Sequence, residues 1–410
     1  MGITSQYTKD EKRILFFVAL VWGADMLYYL KAVVMRLPII NLLSNFFIPS
    51  VVIISLLVTF SSLSKRIKVA DCVFYFVCIA LDLLNFVFYP ANFEWLTFFL
   101  PSVFFQVLPY FFIGLLITSQ KHIKVIETVS IAYVVFSLIY LYFTMASRTF
   151  EGEEMGAAYS LLPHLLIVLV ACFRRFKWYY LVVFILGLLR LMGTGNRGTL
   201  LCLALFLILY LLFCVKSKYK FWLVGLLALM VVYIGYRQEL FFGSLGEFMG
   251  GQGFNTRVFD MTLNNEFYDS NGRDDLASFF MSKINMGGFF GYGIFGDRTL
   301  LHDEHGYPHN LLLELWVDFG MLVGSILFLV VLWLVYKAFR SCNTKESMSF
   351  LLVFVIVGFF SLFLSNTYLS NPMFFLMIGY CIRTIRDQKA TNKYNNIPSI
   401  SAHENLVSKY

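Results

Sequence analysis

The stretch LLPHLLIVLVACFRRFKWYYLVVFILGLLRLM, residues 161–192, sets two apolar runs on either side of RRFK (174–177). A bilayer core about 30 Å thick takes roughly 20 apolar residues in helix. The two runs, read as 157–172 and 178–193, lie at the short end of that length. A basic turn between two such runs is the pattern of a helical hairpin whose turn faces the cytoplasm.

Working outward, the pattern repeats along the whole chain. Of its 410 residues, 59% are hydrophobic and 19% aromatic, and only 14% are charged. A soluble globular domain is nearer about 25% charged, and one soluble core of this size cannot hide so much apolar surface. Twelve runs read as spans, near 14–30, 38–60, 69–89, 96–118, 125–145, 157–172, 178–193, 198–214, 221–236, 309–336, 348–365 and 369–383. Lys31 and Arg36 make 31–37 the least distinct connection. The first run has no small-residue cleavage site after it and reads as a span, not a removed signal. The sequence therefore predicts an all-α polytopic membrane protein of about twelve transmembrane helices. It forms a single transmembrane domain over 1–388, followed by a polar tail, 389–410, expected to be disordered.

Charge sets the orientation. SKRIK (64–68), KHIK (121–124), RRFK, KSKYK (216–220) and YKAFR (336–340) fall at alternate connections. In and beside these segments and the two termini lie 22 of the 32 lysines and arginines. That bias predicts both termini in the cytoplasm. The net charge of +7 is spread over short loops, which argues against a nucleic-acid face. The seven cysteines lie in or beside apolar runs, or in a basic loop, without a CxxC, so neither a disulfide framework nor a cysteine metal site is expected.

One connection is long. Residues 237–308, between the ninth and tenth runs, lie outside in this topology. They hold twelve glycines, ten acidic residues and only five basic ones: Arg237, Arg257, Arg273, Lys283 and Arg298. A connection of that length is usually functional. Within it, 274–286 reads as a helix with Leu276, Phe279, Phe280 and Ile284 on one face, suited to rest on the membrane surface.

Four features carry candidate chemistry. In GTGNRGTLL (193–201), Arg197 opens a helix at the outer headgroup layer, where a guanidinium and helix N-terminal amides suit phosphate. A snorkelling arginine in an interfacial turn has the same appearance. Arg190 either shares that face or pairs with a carboxylate. In NGRDDLASFFMSKINMGGFFGYGIFGDR (271–298), Arg273 opens the amphipathic segment beside Asp274 and Asp275, which offer a local salt bridge instead. GYGIFG follows no strand and is not a nucleotide loop. In HDEHGYPHNLLLELWVDFG (302–320), Gly306 and Pro308 interrupt helix spacing between His305 and His309, so a metal site is not expected. Pro308 marks the first turn of the next helix, with His309 and Asn310 in that turn. A histidine there can position or deprotonate a hydroxyl; a solvated loop histidine is the plain alternative. The run 309–336 is about 42 Å long at 1.5 Å per residue, which places Asp318 near the outer boundary with His309 and Glu314 above it. Lastly, Asp25, Asp82 and His164 lie within spans. They suit structural pairing or a proton relay, with prolines 49, 101, 109 and 163 as kinks.

Taken together, the twelve runs, the long external loop, NRGTLL (196–201), GR (272–273) with its glycine-aromatic cluster, and PHNLLLELWVDFG (308–320) resemble the bacterial O-antigen ligase and polymerase family. The resemblance is strongest over about 190–335. It implies a metal-independent, inverting glycosyltransferase of the cytoplasmic membrane that needs no cofactor. The donor would be an oligosaccharide on undecaprenyl diphosphate. Carried over by motif, Arg197 and Arg273 would hold the diphosphate and His309 the acceptor hydroxyl. Arg298, Tyr307, Arg257 and Arg190 would be further substrate contacts. The implied partners are membrane lipids, a chain-length regulator and a flippase, with no nucleic acid. Asn196 stands where the family usually has a small residue, and the loop lacks the spaced Arg-to-Gly repeat of some polymerases. Polymerase and ligase both stay open, and a lipid-linked oligosaccharide flippase is the rival from another class. That rival predicts functional charges inside the bundle.

Overall fold

A computed structural model describes residues 8–24, 26, 41–117, 120–145, 154–194, 196–215, 243–251, 272–286, 290–303 and 306–395, with isolated positions between 220 and 264. Asp25, Arg257, Glu304, His305, the 31–37 connection, most of the expected span 221–236 and residues 396–410 lie outside the described residues. The described chain is helical, with no strand. In order come α1 (Lys9–Trp22), α2 (Asn41–Leu63), α3 (Val69–Phe88), α4 (Phe93–Ser102), α5 (Pro109–Leu116), α6 (Gln120–Met145), α7 (Glu154–Arg174) and α8 (Trp178–Met192). Then follow α9 (Arg197–Cys214), α10 (Ser244–Gly251), α11 (Arg273–Met286), α12 (Gly296–Leu301), α13 (Leu311–Ser341), α14 (Lys345–Gly358) and α15 (Pro372–Asn395).

Six helical stretches are long and apolar enough to cross a membrane, among the described residues: α3, α6, α7, α9, α13 and α14 continued through the 3-10 turn to Phe363, with α2 and α8 as shorter apolar helices. The chain is a multi-pass, all-α membrane protein. Its core is formed by α7 and α14, whose apolar windows are 72% buried, whereas those of α3 and α13 are 17% buried. The outward faces of α2 and α3 expose Leu57, Phe60, Phe76, Val87 and Phe88. A continuous apolar face of that size is stable against lipid tails and not against water. At the centre, α5 and α15 approach backbone to backbone, with Gly114 against the Leu376 carbonyl and Gly379 against that of Phe111. Small residues at a crossing give transmembrane helices their packing contact.

The basic segments among the described residues gather at one end of this bundle. Asp10 pairs with Lys65, Glu11 with Lys121, and Asp71 with Arg386. Arg174 joins Glu127 at 2.8 Å and also meets Glu346. Segments spaced along almost the whole chain thus share one surface, the surface that the charge pattern assigned to the cytoplasm. The final helix runs to Asn395, so the tail expected to be disordered from 389 begins as seven more helical residues.

Three expected spans are not continuous α-helices among the described residues; one, 348–365, passes from α14 into a 3-10 turn at Phe360–Phe363. The run 96–118 divides into α4, a π-helical segment Val103–Val107 and α5, where Pro109 cannot donate its backbone hydrogen bond. The run 309–336 is one apolar stretch in sequence and two helices in space. Gly320 has φ 76° and ψ 164°, a conformation essentially confined to glycine. The bend folds 311–319 back until the Leu315 carbonyl lies against Gly324 and Trp316 Nε1 donates to Ser325 Oγ at 2.9 Å. The remaining piece, 321–341, is about 31 Å long at 1.5 Å per residue. That matches a core of about 30 Å and removes the excess length of the unbroken run.

A helix bend leaves carbonyls without their usual donors. Here the glycine-aromatic cluster supplies them. The Tyr292 and Gly293 N–H groups donate to the Val317 and Asp318 carbonyls at 2.7 and 2.9 Å. The cluster is held from its other side by the end of α3. Asn85 accepts from the Ile294 N–H at 3.0 Å and donates to its carbonyl at 2.9 Å. Asn92 donates to the Tyr292 and Ile294 carbonyls, and Tyr89 to that of Phe290. GYGIFG is therefore a strut between α3 and the bend of α13. The amphipathic helix is found as α11, with Leu276, Phe279, Phe280 and Ile284 packed on Val317, Leu313 and Trp316. Its apolar face meets the protein's own 311–319 segment, in place of the membrane surface expected from sequence.

Candidate functional site

At the end of the bundle away from the basic loops, three separate segments converge on Tyr159 of α7. The first is the turn into α9. Asn196 caps that helix, its side chain accepting from the Thr199 N–H at 3.2 Å. Arg197 is the first helical residue and half-buried. Gly198 lies so close to the Tyr159 hydroxyl that a side chain there would collide with it. The second is Arg273, half-buried as the first residue of α11. Its charge acts on Tyr159, on Tyr307 and on His309.

The third is the 306–310 turn. Asn310, not Pro308, begins α13, its side chain accepting from the Leu312 and Leu313 N–H groups. His309 precedes the helix with φ 52°. This corrects the expected placement in the first helical turn. A left-handed conformation at a non-glycine residue costs of order 1–3 kcal/mol and persists where the surroundings over-determine it. Here those surroundings are visible. The Tyr307 hydroxyl donates to the Ser365 carbonyl at 2.5 Å, and the Tyr307 ring lies 4.1 Å from the imidazole of His309. Nδ1 of His309 is buried without a hydrogen-bond partner. Burial first, and then the charges of Arg273 and Arg298, lower the His309 pKa to about 4. The imidazole is thus neutral at pH 7, with an unused nitrogen. Burial pushes the Tyr307 hydroxyl up to about 12, so it stays a proton donor.

Arg298 is placed differently from the other arginines. It is 2% exposed. Its guanidinium pairs with Asp297 at 2.6 Å, lies 3.8 Å from Glu314 and packs over the rings of Phe99, Phe295 and Tyr307. It neutralises a buried group of carboxylates and supports Tyr307 from behind. Glu314 accepts from the Thr367 hydroxyl and the Tyr368 N–H, and Asp318 from the Tyr368 hydroxyl at 2.7 Å. These bonds fasten 311–319 to the 365–369 turn, whose Ser365 holds Tyr307.

Of the sequence candidates, Arg273, Tyr307 and His309 come together near Tyr159, and the turn that carries Arg197 touches it through Gly198. Arg190 is buried in the last turn of α8, and His302 is exposed. His164 sits in the core, stacked on Tyr133 at 3.9 Å and bonded to Ser130, which also receives the Trp22 indole N–H. Packing of that kind suits structure more than a wet relay. Among the described residues no group of three or more His, Cys, Asp or Glu side chains is arranged for a metal ion. Tyr159 and the Glu314–Asp318 network were missed in the sequence. Nothing local marks Tyr159, while the i, i+4 carboxylates in an apolar run were a visible but unread sign of buried partners.

The Arg273 guanidinium and a neutral imidazole beside an aromatic wall can hold an oxyanion and accept a proton. No protein-family model matches the chain, and no curated protein or solved structure matches it.

Proposed function

We propose that this chain is a polysaccharide polymerase of the outer face of the cytoplasmic membrane, an inverting glycosyltransferase. It moves a growing glycan from undecaprenyl diphosphate onto a lipid-linked repeat unit. The observation that carries this reading is the meeting of Arg273 and His309 with the Arg197 turn around Tyr159, away from the basic loops. A lipid diphosphate leaves readily once cations take up its developing charge. Arginine does so bidentately and independently of pH. In this scheme the acceptor hydroxyl attacks the anomeric carbon, the carbon–oxygen bond to diphosphate breaks, and Nδ1 of His309 receives the hydroxyl proton. Tyr307 and Arg298 position His309.

The test is polymer formation by the purified chain in vesicles supplied with lipid-linked repeat units on the accessible face. His309→Ala is expected to lower turnover about 10²- to 10⁴-fold, the usual contribution of a general base. Arg273→Ala is expected to abolish polymer, and Arg273→Lys to restore it only in part. Full-length polymer from both alanine variants at normal protein level would overturn the reading. Product only when lipid A-core is added would assign a ligase. Lipid movement without new glycosidic bonds would assign a flippase.

A further inference from the structure

A cavity of about 190 Å³ opens beside Tyr159, on the same end of the bundle. Its walls are the first turns of α7, with Tyr159, Ser160 and Pro163, and the 366–373 segment, with Asn366, Ser370 and Asn371. Asn371 is committed to the fold: its amide donates to the Val357 carbonyl and Ser361 Oγ, and its oxygen accepts from the Met373 N–H. The side chains of Ser160, Asn366 and Ser370 make no hydrogen bond among the described residues. The cavity thus presents two hydroxyls and one carboxamide, each with donor and acceptor capacity, between a tyrosine ring and two prolines. No charged residue lines it.

We propose that this cavity binds one neutral sugar ring, that of the acceptor glycan. The inference rests on the transferase reading and adds a subsite to it. A ring hydroxyl both donates and accepts, as do Asn366, Ser160 and Ser370, and the apolar ring face suits Tyr159 and the prolines. The absence of a cation disfavours phosphorylated or uronic rings, which would bury an unpaired charge. The donor's own sugar is covalently next to the diphosphate and must lie with the arginines. A ring held across Tyr159 from them belongs to the other substrate. Tyr159 then separates a cationic half-site from a neutral one, and it touches both.

Ser370 is exposed at the rim, so Ser370→Cys reports occupancy with little risk to folding. The full chain in nanodiscs is labelled with a maleimide in the presence of neutral hexoses, 6-deoxyhexoses, N-acetylhexosamines or glucuronic acid. At ten times its dissociation constant, a neutral sugar of matching shape slows labelling about tenfold, whereas glucuronic acid does not. Asn366→Ala raises the acceptor KM about five- to tenfold, the loss of an uncharged hydrogen bond or two, and leaves kcat and the donor KM unchanged. If no neutral sugar protects Ser370→Cys, while undecaprenyl diphosphate still raises the melting temperature through Arg273, the cavity proposal falls and the transferase reading stands. Equal protection by glucuronic acid would overturn the neutral-ring assignment. Protection by a neutral sugar in a protein that makes no polymer would keep the cavity as a sugar site and remove the transferase.

Discussion

His309 concentrates the physics of the candidate site in one residue. Its left-handed backbone, its buried Nδ1 and its lowered pKa have a common origin. The turn that strains the backbone also lifts the ring off water and holds it near two guanidinium groups. A pH dependence follows. In the empty protein the imidazole stays neutral down to about pH 4. The rate from free enzyme and substrate, kcat/KM, should therefore hold steady as pH falls from 7 and drop only toward pH 4. A bound diphosphate brings negative charge that opposes the arginines and raises the imidazole pKa. The acid limb of kcat should then lie at higher pH than that of kcat/KM, and His309→Gln should remove both limbs. Coincident limbs would place His309 away from the leaving group. The same residue-scale argument separates Arg298 from its neighbours. With its charge committed to Asp297 and Glu314, in the proposed transferase it would act on substrate only through Tyr307.

Among the elements, the bend of α13 does the most to set the site. A straight helix over 311–341 would carry Glu314 and Asp318 along the span axis, away from Thr367 and Tyr368. Folding back at Gly320 brings both carboxylates onto the 365–369 turn and brings Val317 under α11. The glycine-aromatic strut then occupies the carbonyls that the bend exposes. Gly320→Ala should cost of order 1–3 kcal/mol of stability, the strain of a non-glycine residue in that conformation. It should also lower kcat, because α11 and the His309 turn both rest on the bent segment. Thermal unfolding in detergent and the polymer assay read the two effects. An alanine variant unchanged in both would mean that the helix bends for another reason. Aromatic residues of the strut gave no sign of this role in the sequence, because their partners, Asn85 and Asn92, lie some two hundred residues earlier.

At the scale of the molecule, two ends with opposite chemistry face each other across an apolar middle. Ion pairs link Asp10, Lys65, Lys121, Arg174, Glu346 and Arg386 at one end. Arg273, His309 and the Arg197 turn lie at the other. Alkaline phosphatase, active only outside the cytoplasmic membrane, tests the orientation. Fused after Gly251 it should be active, and fused after Lys177 inactive, in intact cells. The reverse pattern would place the candidate site in the cytoplasm and overturn the proposed function.

Hydrophobic run length and the repeat of basic loops by themselves determined a polytopic helical membrane protein with its charged loops on one surface. Those are properties of segments, and a segment carries its own transfer energy wherever it packs. Residue type marked Arg197, Arg273 and His309 as candidates beside plainer readings, and only the family resemblance gave them roles. Only the tertiary structure decided that Tyr159 joins them, that Arg298 is consumed by buried carboxylates, and that the 309–336 run breaks at Gly320. These outcomes depend on which distant groups satisfy a buried charge or a freed carbonyl. Such pairing is fixed by packing between segments, and no single segment contains it.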